Sequence, residues 1–178
     1  MSDKKIVISR AEISKRVKEL GEAIVGDYAA GDLVVIGILN GAFIFVADLV
    51  REIALPLVID FVRVASYGAS TSSAGEVRLI KDIEIEVGGK DVLLVEDIVD
   101  TGQTLAYLKN FLAAKNARSV KICALIDKKE RRETEVPLDY VGFEVEAGFL
   151  VGYGLDFAEL YRNDPEVYLL PDNSNGKK

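Results

Sequence analysis

A strand-like apolar run passes directly into acidic and hydroxyl-bearing residues in Val92-Leu93-Leu94-Val95-Glu96-Asp97-Ile98-Val99-Asp100-Thr101-Gly102-Gln103-Thr104. Asp91–Val95 has the apolar, β-branched composition of a strand that is buried on both faces. Apolar residues from Leu105 to about Lys115 then predict a helix. In an open parallel sheet, ligands bind beyond the carboxyl ends of the strands. The stretch therefore predicts a ligand-binding loop, Glu96–Thr104, between a strand and a helix.

Strands and helices alternate along the rest of the chain. Ser9 and Glu12 have the spacing of a capping box, which predicts a helix from residue 10 to about 29. β-branched runs predict further strands and periodic apolar runs predict a further helix, at Leu33–Leu39 (strand), Ala42–Ile53 (helix), Val58–Val64 (strand) and Val120–Ile126 (strand). Short connections between alternating elements predict an α/β fold with a central, mainly parallel sheet flanked by helices.

One internal segment lacks any apolar periodicity. Ser66–Glu76 is small and polar, which predicts a mobile, functional loop. We expect a short antiparallel pair, Val77–Ile80 with Ile83–Val87, beside it. The length of 178 residues predicts a single domain with its core at about residues 5–170, and residues 171–178 read as a frayed tail.

Composition excludes several classes of function. The net charge of −7 argues against a nucleic-acid-binding protein. The absence of histidine excludes Ser-His-Asp and Cys-His catalysis and histidine-based zinc sites, so a metal should be a hard cation bound by oxygen. Cys123, the only cysteine, lies in an apolar run and should be a buried, inert thiol. No run is long enough for a membrane span, and we expect a cytoplasmic protein.

The residue types of Glu96–Thr104 point to a phosphorylated sugar. Thr101, Gly102 and Thr104 suit a phosphate site, because glycine permits close approach and helix-start amides point at the anion. This is not a Walker loop, since its consensus is absent. Nearby carboxylates would repel a phosphate unless sugar hydroxyls or a magnesium ion intervene. A phosphate, a polyhydroxylated sugar and a divalent metal together predict a phosphorylated pentose.

The stretch Val92–Thr104 closely resembles the phosphoribosyl-diphosphate signature of the type I phosphoribosyltransferases. Further motifs narrow the resemblance to the hypoxanthine-guanine branch and follow its order from about Val7 to Leu170. They are a pyrophosphate loop, Ile38-Leu39-Asn40-Gly41-Ala42-Phe43; the start of a flexible lid, Ser66-Tyr67; three parts of a purine-binding hood, Asp127-Lys128-Lys129, Val141-Gly142-Phe143-Glu144 and Phe149–Asp156; and Tyr161-Arg162-Asn163.

The resemblance implies roles for the central stretch. Glu96 and Asp97 should hold the ribose hydroxyls, directly or through Mg²⁺. Asp100 should face N7 of the purine and handle its proton. Four residues should cradle the 5′-phosphate: Thr101, Gly102, Gln103 and Thr104. Gln103 departs from the lysine often found there in the family, so a cationic contribution to phosphate affinity would be missing.

The other motifs carry implied roles as well. Leu39, Asn40 and Gly41 should bind pyrophosphate through backbone amides, with a Leu39–Asn40 bond that can be cis, and Arg162 should be their cationic partner. Lys128 should donate to the 6-oxo group of the purine, Phe149 should stack on the base, and the Leu150 backbone should read its edge. Asp156 is the candidate second metal ligand beside Glu96 and Asp97. Ser66 and Tyr67 should close over the reaction centre and exclude water.

The resemblance therefore implies a purine salvage enzyme. Its substrates would be phosphoribosyl diphosphate and hypoxanthine, and guanine as well; its cofactor would be Mg²⁺; and it would assemble as a homodimer or homotetramer. Its small hood would come from both the N-terminal and the C-terminal segments. Two alternatives stay open: a relative that prefers xanthine or guanine, and a non-catalytic regulator that binds RNA or DNA on the same scaffold. The charge of −7 and the presence of Asp100 argue against the regulator.

Overall fold

A computed structural model describes residues 4–28, 32–67 and 76–171. Its helices and strands alternate much as the sequence predicts. In chain order they are β1 (Lys5–Ile8), α1 (Arg10–Asp27), β2 (Leu33–Leu39), α2 (Phe43–Glu52), β3 (Leu57–Tyr67), β4 (Glu76–Lys81), β5 (Asp91–Val99), α3 (Gln103–Ala114), β6 (Ser119–Lys128), β7 (Tyr140–Val145), β8 (Phe149–Val151) and β9 (Val167–Leu170).

The larger sheet has six strands in the order β4-β3-β2-β5-β6-β7. Strands β3, β2, β5, β6 and β7 run parallel, and β4 is antiparallel to β3. The prediction of an α/β fold with a mainly parallel central sheet is thus confirmed. Because β5 and β6 are parallel and Val99 pairs with Asp127, the carboxyl ends of these strands lie together at one edge. That edge is where ligands bind in such sheets.

Both faces of the larger sheet are covered. Helices α1 and α2 pack on one face and α3 packs on the other, and the central strands contribute alternate side chains to the two apolar clusters. In β2, Val35 belongs to the first cluster, whereas Val34 and Ile36 belong to the second. This alternation is what the period of two in a strand requires. It explains why these strands read as unbroken apolar runs.

A second, smaller sheet joins the two ends of the described chain. Its order is β1-β9-β8, entirely antiparallel, so β9 lies in the centre. The ammonium of Lys4 lies 2.6 Å from Asp164 and 4.1 Å from the centre of the Tyr168 ring, which ties β1 to the C-terminal segment by charge and cation–π contacts. We call this sheet, with residues 152–166 between β8 and β9, the hood.

Helix α1 begins as predicted. The Ser9 hydroxyl accepts from the Glu12 N–H, and the Glu12 carboxylate accepts from the Ser9 N–H, which completes the capping box. Cys123 is fully buried, as predicted, and burial raises the pKa of its thiol. Within the described residues, no helix is both long and apolar enough to cross a membrane.

Several predicted boundaries are wrong. The segment Ile83–Val87 is not a strand and does not pair with Val77–Ile80; instead β4 pairs with β3. The reason is Asp60, whose carboxylate accepts from the N–H groups of Glu84 and Ile85 at 2.5 and 3.1 Å, which satisfies amides that a strand partner would otherwise need.

The predicted loop Ser66–Glu76 is also shorter than expected. Ser66 and Tyr67 continue β3, and Glu76 begins β4, because the β3–β4 pairing runs out to Tyr67 opposite Glu76. The loop between them, like the predicted tail after residue 171, lies outside the described residues. At the other boundary, β5 extends to Val99 and α3 begins at Gln103, so Glu96 and Asp97 belong to the end of the strand rather than to the loop.

Candidate functional site

A cavity of about 210 Å³ opens at the carboxyl edge of β5 and β6, beneath the hood. Six of the residues proposed from the sequence line it, together with Ile98 and Leu155: Asp97, Asp100, Lys128, Phe149, Leu150 and Asp156. They come from three separate parts of the chain. Long-range folding therefore brings together three groups of residues. They are those expected to contact the purine, the carboxylate expected to accept its proton, and two of the acids assigned to ribose or metal.

Asp100 has an unsatisfied acceptor. Its Oδ1 is buried and has no hydrogen-bond partner among the described residues. The Lys128 ammonium is 3.5 Å away from that oxygen and 3.3 Å from the Gly148 carbonyl oxygen, to which it donates. An unpaired buried acceptor costs free energy, because its hydration is lost without replacement. A ligand that carries an N–H to Oδ1 would recover that loss.

Glu96 and Asp97 form a buried acidic pair. Both are buried, and the Asp97 N–H donates to Glu96 Oε1 at 3.3 Å. Burial raises the pKa of the Glu96 carboxyl well above its ordinary value, and the adjacent Asp97 charge raises it further. Burial also raises the pKa of Asp97, although hydrogen bonds to its carboxylate and, less strongly, the Arg162 charge oppose that rise. Of the two, only Asp97 lines the cavity. Hydroxyl donors or a cation would stabilise such a pair in its charged form.

The proposed pyrophosphate loop contacts this acid directly. The Leu39–Asn40 peptide bond is cis. A methyl group built on Gly41 would lie 1.8 Å from Asp97 Oδ2, and one built on Gly154 would lie 2.1 Å from the Gly41 carbonyl oxygen. Only glycine permits these approaches, so the loop, the strand end and the hood meet without an intervening side chain.

The proposed phosphate loop leads into helix α3. Gly102 occupies the N-cap position with φ 83°, and no side chain of the described residues caps this helix start. A methyl group at Gly102 would meet the Thr134 carbonyl oxygen at 2.1 Å. The Thr101 carbonyl accepts from the N–H groups of Glu133 and Thr134. The loop therefore rests on residues 133–134. Among the described residues, only the Gln103 amide at this helix start has a side-chain partner, so the amides after it can bind an anion.

The Gln103 side chain has a hydrogen-bond partner outside the phosphate loop. Its side-chain amide donates to Glu133 Oε2 at 2.5 Å, and its backbone N–H donates weakly to the Thr101 hydroxyl at 3.4 Å. The side chain thus joins the loop to the segment after β6.

Arg132 organises the site and was not anticipated. Its side chain is 9% exposed and forms a short ion pair with Asp127. It also donates to the carbonyl oxygens of Asp100, Val99 and Lys128 at 3.0, 3.3 and 3.3 Å. The guanidinium therefore holds the end of β5 against the end of β6. In the sequence it closes the charged run Asp127–Arg132, which resembles a solvated surface, so no local signal marks it.

The hood places Asp156 and Arg162 against each other. Arg162 lies 2.8 Å from Asp156 Oδ1 and donates to the Gly154 carbonyl oxygen at 2.8 Å. The two residues assigned to metal and pyrophosphate are thus neighbours, and Gly154 connects them to Gly41. Ser66 and Tyr67 lie at the end of β3, and their side chains are outside what the structure describes.

The acids are spread out rather than clustered. Within residues 4–28, 32–67 and 76–171, no group of three or more His, Cys, Asp or Glu side chains could hold a metal ion by itself. Mg²⁺ is usually bound by one or two carboxylates together with substrate phosphates and water. The donor set at Asp97 and Asp156 is compatible with that mode and not with a cage made by protein alone.

Comparison with known proteins identifies the class. The family model of the phosphoribosyl transferase domain matches residues 8–158. The chain belongs to that family. Its relatives include hypoxanthine-guanine phosphoribosyltransferase of Bacillus subtilis, 48% identical over 93% of this chain and 92% of the relative. Another is hypoxanthine phosphoribosyltransferase of Salmonella typhimurium, 43% identical over 91% and 92%.

Solved structures agree with the sequence comparison. The crystal structure of a hypoxanthine phosphoribosyltransferase from Staphylococcus aureus superimposes with a TM-score of 0.91 at 39% identity, covering 97% of this chain and 94% of that one. A hypoxanthine-guanine phosphoribosyltransferase from Bacillus anthracis gives 0.89 at 42% identity, covering 94% and 98%. The small antiparallel sheet beside a parallel α/β core is thus the architecture of this family.

Proposed function

We propose that this enzyme transfers the 5-phosphoribosyl group from phosphoribosyl diphosphate to hypoxanthine and guanine, releasing pyrophosphate and the purine nucleotide. The observation that carries the proposal is the buried Asp100 Oδ1, which accepts no hydrogen bond from the described residues, in a cavity that also presents Lys128 and the half-exposed Phe149 ring. An oxopurine offers an N–H for the first, a carbonyl oxygen for the second and a flat face for the third.

Each group has a task in the displacement at the anomeric carbon. Asp100 accepts the proton of the purine nitrogen and stabilises the positive charge that develops on the ribose. Glu96 and Asp97 orient the ribose hydroxyls. The amides at the start of α3, with Thr101 and Thr104, hold the 5′-phosphate. Leu39–Gly41 and Arg162 hold the pyrophosphate, and Leu150 reads the edge of the base.

Mg²⁺ fits this arrangement as a partner of the diphosphate. Glu96, Asp97 and Asp156 are the residues that would hold it, directly or through the ribose and phosphate oxygens. When bound, the ion neutralises negative charge on the leaving group. The carboxylates at Asp97 and Asp156 would otherwise repel that diphosphate, so the donor set and the substrate each need the cation.

The proposal predicts metal-dependent nucleotide synthesis. With hypoxanthine and phosphoribosyl diphosphate, turnover should stop in excess chelator and return when Mg²⁺ is added, because the carboxylates cannot approach an uncompensated diphosphate. Absorbance of the nucleotide measures the rate. Activity that persists in chelator would contradict the role of the metal, and absence of turnover with Mg²⁺ present would contradict the function itself.

Base selection gives a separate prediction. Adenine lacks the 6-oxo acceptor, so the N–H that the buried Lys128 ammonium directs at the base would have no acceptor on it, at a cost of about 1–3 kcal/mol. Adenine should therefore be a poor substrate, and Lys128→Ala should raise KM for hypoxanthine. Lys129→Ala is the matched control, because its side chain is 62% exposed and pairs with Glu144 at the surface. Equal turnover of adenine and hypoxanthine by the unmodified enzyme would refute this assignment.

Preference among oxopurines is tested in the same assay. A relative that prefers xanthine or guanine would show its highest kcat/KM with that base. A regulator that binds RNA or DNA would retain nucleic acid on a filter at low salt, where electrostatic binding is strongest. We do not expect retention of nucleic acid, since the net charge of −7 opposes it.

Two further parts of the proposal concern context. By resemblance, the single domain should assemble as a homodimer or homotetramer in the cytoplasm, and Ser66 and Tyr67 should close over the bound substrates. Sedimentation of the purified protein measures the assembly state directly. A protein that sediments as a monomer at assay concentration would contradict the expected assembly and would leave the catalytic proposal unaffected.

A further inference from the structure

A tight turn in the hood holds two successive residues in the left-handed conformation. Phe157 and Leu160 exchange backbone hydrogen bonds of 3.2 and 3.1 Å, and between them Ala158 and Glu159 have φ of 52° and 64°. Positive φ at both central residues is the geometry of a type I′ turn, which normally employs glycine or asparagine. Alanine and glutamate are strained there, and such strain persists only where surrounding contacts enforce it.

The enforcing contacts come from the proposed active-site residues. Asp156 Oδ2 accepts from the Glu159 N–H at 2.9 Å, and Arg162 lies 2.8 Å from Asp156 and 3.2 Å from the Glu159 carboxylate. One side chain before the turn and one after it therefore fix the turn from both sides. Its geometry is tied to Asp156 and Arg162, the two groups that the proposed function assigns to the metal and the pyrophosphate.

The turn places the aromatic ring of Phe157 against Phe149. The rings of Phe157 and Phe149 are 5.5 Å apart at 87°, the edge-to-face arrangement that the aromatic quadrupole favours. Phe149 is 49% exposed and Phe157 is 50% exposed, so neither belongs to the core. Burial alone does not explain why two half-exposed rings are held in this geometry. Phe149 lines the cavity and Phe157 does not.

We infer that Phe157 is a positioning residue that fixes the plane of Phe149, so that a purine meets a preformed stacking surface. The inference rests on the proposed function and deepens its account of the base site. A free phenylalanine ring at a half-exposed position would lose rotational freedom when a base stacks on it, and the edge-on contact removes that loss in advance. Because stacking involves only the face of the base, the effect extends equally to hypoxanthine and guanine.

The test is a double-mutant cycle on the two rings. Phe157→Ala should raise KM for both oxopurines by roughly three- to tenfold, the usual worth of an aromatic pair, with kcat and KM for phosphoribosyl diphosphate changed less than twofold. In the Phe149→Ala background the same substitution should add nearly nothing, because its effect is exerted through that ring. Calorimetric affinity for the purine nucleotide gives the same comparison if turnover becomes too slow.

Two controls make the result specific. Leu160→Ala removes an exposed apolar side chain, 62% accessible, from the same turn and should leave KM unchanged. Phe157→Tyr retains the ring and should restore the KM of the unmodified enzyme. An equal rise in KM in the presence and absence of Phe149, or a parallel rise for phosphoribosyl diphosphate, would overturn the inference. If the unmodified enzyme forms no nucleotide, it is the proposed function that fails instead.

Discussion

Replacing Asp100 with asparagine should lower kcat by roughly 10²–10⁴-fold, the usual worth of general base catalysis. The substitution retains the size of the side chain and removes its charge and basicity. Proton acceptance and stabilisation of the ribosyl cation both belong to the transition state, so KM for phosphoribosyl diphosphate should change much less. The rate of nucleotide formation and the calorimetric affinity for the donor measure the two effects separately.

A neighbouring carboxylate supplies the control for Asp100. Glu130 lies 3.8 Å from the Lys128 ammonium, and its carboxylate accepts from the Gly148 N–H outside the cavity. Like Asp100→Asn, Glu130→Gln removes one negative charge near Lys128. It should alter kcat by no more than a few-fold. Circular dichroism verifies the fold of both variants. A folded Asp100→Asn enzyme with near-normal kcat would remove Asp100 from the mechanism.

Arg132→Ala should lower the free energy of unfolding by about 3–5 kcal/mol. Arg132 is 9% exposed, and its loss leaves the equally buried Asp127 carboxylate without its strongest partner. It also leaves the carbonyl oxygens of Val99 and Asp100 without this donor. Removing one member of a buried pair costs more than the pair is worth, because the remaining charge stays desolvated. Denaturant titration with an unchanged slope measures the loss.

The adjacent arginine is a matched comparison. Arg131 is 68% exposed and lies 3.4 Å from Asp100, so Arg131→Ala should change stability by at most about 1 kcal/mol. A loss for Arg132→Ala as small as that of Arg131→Ala would show that the buried guanidinium is not what holds β5 and β6 together. The two sites share a residue type and differ in burial and in hydrogen bonding, so the comparison separates a buried, bonded guanidinium from an exposed one.

Local sequence pattern is enough to predict most of the helices and strands. The runs that became β2 and β5 are apolar on both faces, and the Ser9–Glu12 spacing marks the start of α1 without reference to any distant residue. The pairing of β4 was missed because short strands of similar composition can pair in several registers. What selects the observed pairing is Asp60, which lies more than twenty residues from the amides that it binds.

The residues of the candidate site also fall into those that local motifs mark and those that only long-range contacts define. Asp100, Lys128 and Phe149 each belong to a motif of consecutive residues, and the structure brings the three side chains to one cavity. Arg132 could not be distinguished from a solvated charge, because its role depends on carbonyl oxygens at the end of another strand. The contact of Phe157 with Phe149 depends on backbone angles that Ala158 and Glu159 rarely adopt. Residue type gives no indication of either.

The central place of β9 in the hood has a consequence for biosynthesis. Among the described residues, strands β1 and β8 do not pair with each other, and each pairs with β9, at Val167–Leu170. On a ribosome the chain emerges from its N-terminus. The large sheet can therefore assemble before Lys5–Ile8 has a strand to pair with, because that strand lies some 160 residues downstream. The hood is therefore completed last, and a nascent chain that stalls before Val167 carries the strands of the larger sheet but lacks the strand with which β1 and β8 pair.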